Sequence, residues 1–177
     1  MINILLKDGK SVNLREAVKE DGKTMIDFYN IVGGETDFLS FGKNDFKKDL
    51  TVYEGYLEAT RGEANSIILL AEMNNKLVGI ASINSSPKTR FSHVGEFGIV
   101  IAQQYCGLGL GKEIIEYIIE WATSNGITKK ISLVTSENNY RAMELYKKVG
   151  FEVEGILKKD NYVNGVYGNT IIMGRIN

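Results

Sequence analysis

The chain has 177 residues, 44% of them hydrophobic and 24% charged, with 21 basic side chains against 22 acidic ones and a net charge of −1. That length and apolar content suit one domain, residues 1–177, able to bury its own core, and the balanced charge without a basic tract argues against nucleic acid as a partner. A lone cysteine, Cys106, excludes an internal disulfide, and a lone histidine, His93, excludes a His/Cys metal cluster, so no metal is expected.

In chain order, the apolar start Met1–Lys7 breaks at Asp8-Gly9. It is far shorter than the roughly 20 residues of a membrane span, so no membrane attachment is expected and cytoplasm is the expected compartment. Ile2–Leu6 and Ser11–Leu14 flank Asp8-Gly9 as a hairpin. Lys19–Val32 carries Met25, Ile26, Phe28, Tyr29 and Ile31 at helical spacing and ends at Gly33-Gly34. Asn44 is placed to cap a second helix running to Ala59, with Phe46, Leu50, Tyr53, Tyr56 and Leu57 as its apolar stripe. Ser66–Met73 and Leu77–Ile83 form a hairpin about Asn74-Asn75, and His93–Ala102 is a third strand of this block. Gly109–Ser124 is the clearest helix, with Leu110, Ile114, Ile118, Trp121 and Ala122 on one side. Lys130–Thr135 is a strand, Asn138–Val149 a helix ended by Gly150, and Phe151–Leu157 and Val166–Arg175 are final strands. The order ββααβββαβαββ predicts a mixed α/β (α+β) sheet with helices on both faces.

The most informative segment joins the third block strand to the strongest helix. Gly107, Gly109 and Gly111 alternate there, followed by Lys112. Glycine permits positive φ and close approach of a ligand to the main chain. The first N–H groups of a helix lack intrahelical partners and sit at its positive end, so the turn suits an anion, with phosphate the expected guest. A glycine-rich turn with no ligand is the alternative. The nucleoside-triphosphate loop fails, because its first glycine falls on Cys106 and Glu113 stands where the magnesium-binding hydroxyl belongs. The dinucleotide fingerprint fails as well, since Lys112 and Ile114 occupy the positions where it needs glycine or alanine.

Gln104-Tyr-Cys-Gly107-Leu-Gly109 does match Gln/Arg-x-x-Gly-x-Gly/Ala, and Asn139-Tyr-Arg-Ala142-Met-Glu-Leu-Tyr146-Lys-Lys-Val-Gly150-Phe151 follows downstream. Together they resemble the acetyl-CoA loop and the second signature of the GNAT superfamily of N-acetyltransferases. Leu14-Arg15-Glu16-Ala17 with Asp21 is similar to that family's first strand and helix start. The resemblance implies a mostly antiparallel central sheet flanked by helices, and acetyl-CoA as cosubstrate. It further implies that Gln104, Cys106, Gly107, Leu108, Gly109, Leu110, Gly111 and Lys112 hold the cofactor's pyrophosphate. The main chain of Ile99 and Ile101 would hold the pantetheine arm, and Asn139 would add a hydrogen bond to the pantetheine or phosphate region. Where many members carry arginine before the first loop glycine, this chain has Cys106.

The implied reaction is direct attack of a neutral primary amine on the thioester in a ternary complex. A lysine-like amine with pKa about 10.4 is almost wholly protonated at neutral pH, so a general base helps. Glu96, at the start of the strand leading to the loop, is the candidate, with a solvated strand-end carboxylate as the plain alternative; His93 could share the work. Tyr146 falls where the family places a tyrosine near the coenzyme A sulfur, although its spacing with Met143 and Leu145 also suits a core aromatic. A simple helix cap is the alternative role for Asn139, one open to Asn138 too. A route through acetylated Cys106 is rejected: the residue belongs beside the pyrophosphate and has no adjacent histidine.

The acceptor is expected between the first two helices, Gly33–Lys43. There Glu35 and Asp37 could attract a cationic amine and Phe38, Leu39 and Phe41 could line an apolar wall, unless the segment is a solvated loop. Lys158–Asn169, with Tyr162 and Tyr167, could cover the same cleft. A small or peptidic amine is the expected partner, and a homodimer is an open expectation drawn from the family. A non-catalytic acetyl-CoA-binding regulator on the same fold, or a transferase using another acyl-CoA, are the rival readings.

Overall fold

Alternating and fully apolar strands assemble into one eight-stranded sheet in the computed structural model, which describes residues 2–177. The elements are β1 Ile2–Leu5, β2 Ser11–Glu16, α1 Gly22–Val32, α2 Leu50–Arg61, β3 Ile67–Met73, β4 Lys76–Ser85, β5 Val94–Ile101, α3 Leu110–Ser124, β6 Lys130–Ser136, α4 Tyr140–Lys148, β7 Glu152–Val163 and β8 Val166–Ile176. Their order is the one read from the sequence. Met1 lies outside the described residues. The strands lie in the order β1-β2-β3-β4-β5-β6-β8-β7, and every neighbouring pair is antiparallel except β5 with β6.

Side chains alternate across a strand, so the sheet feeds two cores. On one face Leu110, Ile114, Ile115, Ile118 and Ala122 of α3 and Tyr146 of α4 pack on Ile67, Leu69, Ala81, Ile83, Phe97, Ile131 and Leu133. On the other, Met25, Phe28 and Val32 of α1 and Tyr53 and Leu57 of α2 cover Ile68, Leu70 and Ile80. The helices over the second face reach only the β3–β4 half, so Val134 of β6 is 65% exposed.

Three details depart from expectation. Asn44 caps nothing: α2 begins at Leu50, and Asp49 accepts the Val52 N–H at 3.0 Å. The reason is distant in sequence. The Asn30 side chain accepts the Phe46 N–H at 3.0 Å and donates to the Phe46 carbonyl at 3.2 Å, fixing Phe46 to α1 instead of letting it wind into a helix. Phe46 then packs tilted at 4.4 Å from Tyr29 and edge-on at 5.8 Å from Tyr53. Ile31 lies outside the buried stripe of α1, 64% exposed. Strand β7 runs on past Leu157 through polar residues, because Asn169 Oδ1 accepts the Lys159 N–H at 2.9 Å across a register shift.

Arg15 locks the edge of the second core, on the α1 face. Its guanidinium donates to both Asp21 oxygens at 2.7 Å and to Glu72 at 2.7 and 3.0 Å, joining β2, the turn before α1, and β3. Burial alone raises the Asp21 carboxyl, but Arg15 and the Val18 N–H outweigh it and hold it below the usual carboxylate range. A depressed carboxyl stabilises the fold above its unfolded pKa of about 3.9, and that contribution fades as pH falls through the lower folded value. Replacing Arg15 with Met strands two half-buried carboxylates and is expected to cost about 2 kcal/mol in urea unfolding at pH 7, with a smaller cost near pH 3. An equal loss at both pH values would show that packing of the arginine stem, rather than its charge, is what matters.

Candidate active site

The sheet is two antiparallel halves joined by a short parallel seam. Strands β5 and β6 pair only at Val94↔Lys130, Gly95↔Ile131 and Glu96↔Ser132. Beyond Glu96, β5 stays with β4 as far as Ile101↔Gly79, and β6 stays with β8 as far as Ser136↔Thr170. Each strand is held by its outer partner, so the two diverge and leave a slot in the sheet with the open edge of β5 from Phe97 to Ile101 along one side. Ile99 and Ile101 lie on that edge. Phe97, Ile99 and Ile101 turn their side chains toward α3, whereas Val100 faces the α1 core; by alternation Glu96 and Gly98 share the α1 face.

The slot widens toward the glycine turn. Gly107 and Gly109 take φ of +88° and +95°, values that other residues reach only with strain. Lys112 and Glu113 N–H groups both turn back to the Gly109 carbonyl at 3.0 and 3.3 Å. The N–H groups of Gly107, Leu108, Gly109, Leu110 and Gly111 find no acceptor among the described residues. Five adjacent unclaimed donors at the positive end of α3 form a ready anion cradle. Gly111 makes a lesser demand, since a Cβ there would sit in ordinary contact with Ile101 and Leu145. Gln104 is exposed beside the turn. Lys112, expected to add charge, instead pairs with Glu116 at 2.7 Å along the helix.

Cys106 is half-buried, and its sulfur lies 3.7 Å from the Ile101 carbonyl. Burial pushes its thiol above the ordinary value, with Glu35 pushing the same way and Arg141 opposing. A thiol so held is a poor nucleophile at neutral pH.

Glu96 is exposed at the last paired position of the seam and lines a cleft of about 290 Å³ with Ser86, Lys88, Phe91 and Val94. Opposite it in register stands Asn84 of β4, whose Oδ1 accepts the hydroxyl of Tyr56 from α2. His93 precedes β5, and its carbonyl receives the Lys129 and Lys130 N–H groups; its side chain is outside that cleft. Tyr146 is buried on the opposite face, its ring edge-on to Phe97 at 6.4 Å and 5.9 Å from Phe151. Burial pushes its phenol up to about 12. Asn139 is the cap of α4, its Oδ1 accepting the Ala142 N–H at 3.3 Å, which leaves its amide NH₂ as a donor.

Between α1 and α2, Glu35 and Asp37 are already engaged. Glu35 accepts the Gln103 N–H at 2.8 Å, just past the end of β5. Asp37 accepts from the Asn164 side chain at 2.8 Å, at the tip of the β7–β8 hairpin. Because β8 runs antiparallel to β6, that tip lies at the open end of the slot, so Glu35–Asp37 straps one arm of the slot to the other. Phe41 returns to Tyr29 and Phe46, and Leu39 packs on the α1 core, while Phe38 stays exposed. Tyr162 and Tyr167 pack against one another at 4.8 Å, their rings tilted, on the hairpin. Among the described residues no group of three or more His, Cys, Asp or Glu is placed to hold a metal, and no helix is long and apolar enough to cross a membrane.

The family profile described as "Acetyltransferase (GNAT) family" matches residues 35–151, from the strap through the slot to Phe151. The chain belongs to the GNAT acetyltransferase family. It is 32% identical over 108 residues to the L-amino acid N-acetyltransferase AaaT of Escherichia coli, covering 61% of this chain and 67% of that one. A GNAT-family acetyltransferase structure from Streptococcus pneumoniae superposes with a TM-score of 0.90 at 33% identity, over 94% of this chain and 99% of the other. The fold is also that of a GNAT superfamily phosphinothricin acetyltransferase from Sinorhizobium meliloti solved with acetyl-CoA, at 18% identity and a TM-score of 0.79, over 93% and 88% of the two chains. This chain is thus an acetyl-CoA-dependent N-acetyltransferase.

The sequence offers no sign of Tyr56 or Asn84 at this acetyltransferase's site, whereas Asn164 lies within the segment expected to cover the cleft and Arg141 within the second signature. Each reaches it from an element far along the chain. The thiol gives the sharpest check here. Cys106→Ala is expected to keep turnover within about threefold of wild type while losing thiol labelling, and complete loss of turnover with acetyl-CoA binding intact would mean that the sulfur takes part in the chemistry.

Proposed function

We propose that this acetyltransferase moves the acetyl group of acetyl-CoA to a small primary amine, by direct attack in a ternary complex, with Glu96 as base and Tyr146 as hydrogen-bond donor to the leaving sulfur. The observation that carries the reading is the end of the seam: pairing stops at Glu96↔Ser132, and the slot beyond it leads to five unclaimed N–H groups. A slot with an open strand edge suits the amide-bearing pantetheine arm, and the cradle suits the diphosphate.

Acetyl-CoA supplies the activated thioester. Glu96, exposed on the α1 face, supports the role of taking a proton from the amine, directly or through a water. Tyr146 approaches from the other face. With its phenol at about 12, full transfer to a thiolate of ordinary pKa about 8.5 would run uphill by roughly 5 kcal/mol. Tyr146 therefore donates a hydrogen bond to the charge growing on sulfur and keeps its proton, and the thiolate takes its proton from solvent.

Two features favour a small acceptor. The Glu35–Asp37 strap closes the open end of the slot on the α1 face, through Gln103 on one side and Asn164 on the other. The relative in Escherichia coli is named for L-amino acids as acceptors. Each carboxylate of the strap gives one oxygen to these bonds and keeps the other and its charge, so Glu35 and Asp37 brace the site and remain able to attract a cationic amine. A cytoplasmic setting agrees with the free thiol of Cys106.

A panel of amino acids, polyamines and N-terminal peptides, assayed for coenzyme A release, tests this function. Glu96→Gln is expected to lower kcat by about 10²-fold with little change in acetyl-CoA affinity. Tight acetyl-CoA binding with no thiol release from any amine would instead make the protein a binding module. Tyr146→Phe is expected to lower kcat by about tenfold or more. Since the phenol stays protonated until about pH 12, that variant should keep the wild-type pH profile at a reduced height. A lost alkaline or acid limb between about pH 6 and 10 would assign Tyr146 a true proton transfer.

A further inference from the structure

We propose that Arg141 and Lys7 grip the diphosphate of coenzyme A at the glycine turn, in place of Lys112 and of the arginine absent at position 106; this rests on the acetyl-CoA reading above. The two cations come from different elements. Arg141 projects from the first turn of α4, and a terminal guanidinium nitrogen lies 2.9 Å from where a Cβ on Gly107 would be. Lys7 projects from the β1–β2 hairpin. Its N–H donates to the Leu108 carbonyl at 3.1 Å, and its side-chain methylenes run 3.6 Å from the Cβ position of Gly109.

Neither cation has a carboxylate within ion-pair distance among the described residues. Lys112, the basic residue nearest the glycines in sequence, is paired with Glu116 along α3. Two uncompensated cations thus flank the five N–H groups of Gly107–Gly111 that have no acceptor. Like charges and unclaimed donors repel one another when nothing negative lies between them, and a doubly charged diphosphate completes both sets at once. Gly107 carries no side chain, which leaves room for the Arg141 guanidinium above the turn. Arginine there can engage two phosphate oxygens through its planar fork, whereas Lys7 acts as a point charge. Cys106 can therefore take the place of an arginine: the charge arrives across the slot from α4.

Calorimetric titration of coenzyme A and of dephospho-coenzyme A, at two salt concentrations, tests the assignment. Arg141→Gln is expected to weaken both ligands about tenfold and Lys7→Gln about threefold, with a shallower salt dependence in each variant. Lys112→Gln should stay within about twofold of wild type, and Arg141→Lys should recover part of the loss. Lys7, Lys112 and Arg141 are exposed apart from their named contacts, and unchanged thermal melting would confirm intact folds. Wild type binding both ligands while Arg141→Gln and Lys7→Gln stay within twofold overturns the grip alone. A loss confined to coenzyme A, with dephospho-coenzyme A unaffected, moves the cations to the 3′-phosphate and overturns the diphosphate assignment. Failure of wild type to bind either ligand overturns the acetyl-CoA reading and this inference with it.

Discussion

Everything at the site depends on a parallel seam only three residue pairs long, Val94↔Lys130 to Glu96↔Ser132. A longer seam would zip β5 to β6 and leave no edge for a ligand. A shorter one would part the two halves of the sheet, which no other strand pairing joins among the described residues. The balance is set on the outside. Antiparallel pairing holds β5 to β4 through Ile101 and β6 to β8 through Ser136, so each half keeps its own twist and direction. Divergence costs hydrogen bonds on two facing edges, a penalty that a bound amide-rich arm can offset by pairing with the edge main chain.

The helices that follow these strands carry the consequence to the mouth of the slot. Helix α3 starts just after β5, and α4 just after β6, so their N-termini face each other across the opening. The α3 side contributes main-chain donors because Gly107 and Gly109 hold positive φ. The α4 side contributes Asn139 as its cap and Arg141 on its first turn. On the opposite face, Glu35 and Asp37 join Gln103 to Asn164. The two arms of the slot are thus spanned by polar contacts on the α1 face, while on the other face main-chain donors and the α4 groups stand opposite one another without a bond between them.

Most of the fold was legible because its signals are local. Alternation in Ile2–Leu14, the apolar run Ile67–Met73 and the breaks at Gly33-Gly34 and Gly150 are enough to order the elements. The glycine turn was legible for the same reason: strand, glycines and helix follow one another directly. What escaped is set by long-range bonds. Asn30 captures Phe46 sixteen residues away and delays α2 to Leu50. Glu35 meets Gln103 across 68 residues, and Asp37 meets Asn164 across 127, so two acidic side chains that read as acceptor ligands turn out to have partners already. Lys112 read as the phosphate's cation through adjacency to the glycines, yet helical geometry places it one turn from Glu116, and the pair forms instead.

The two proposed proton-handling groups stand on opposite faces of the sheet. Phe97 points toward Tyr146 beneath α4, and the next residue back, Glu96, must then point toward α1 and α2. Strand alternation alone enforces this, since adjacent residues cannot share a face. On the proposed roles, the amine and the thioester would approach from different sides and meet in the plane of the sheet, at the level where pairing ends. An acceptor on the α1 face meets an exposed carboxylate and the Tyr56–Asn84 pair. A leaving sulfur on the other face meets a buried phenol that holds its proton. The wet side suits proton removal, because water can carry the proton away from Glu96. The dry side suits charge stabilisation by a fixed donor, because a hydrogen bond is worth more where water is excluded. One residue step along β5, from Glu96 to Phe97, thus divides an exposed carboxylate from the buried phenol of Tyr146 that faces Phe97.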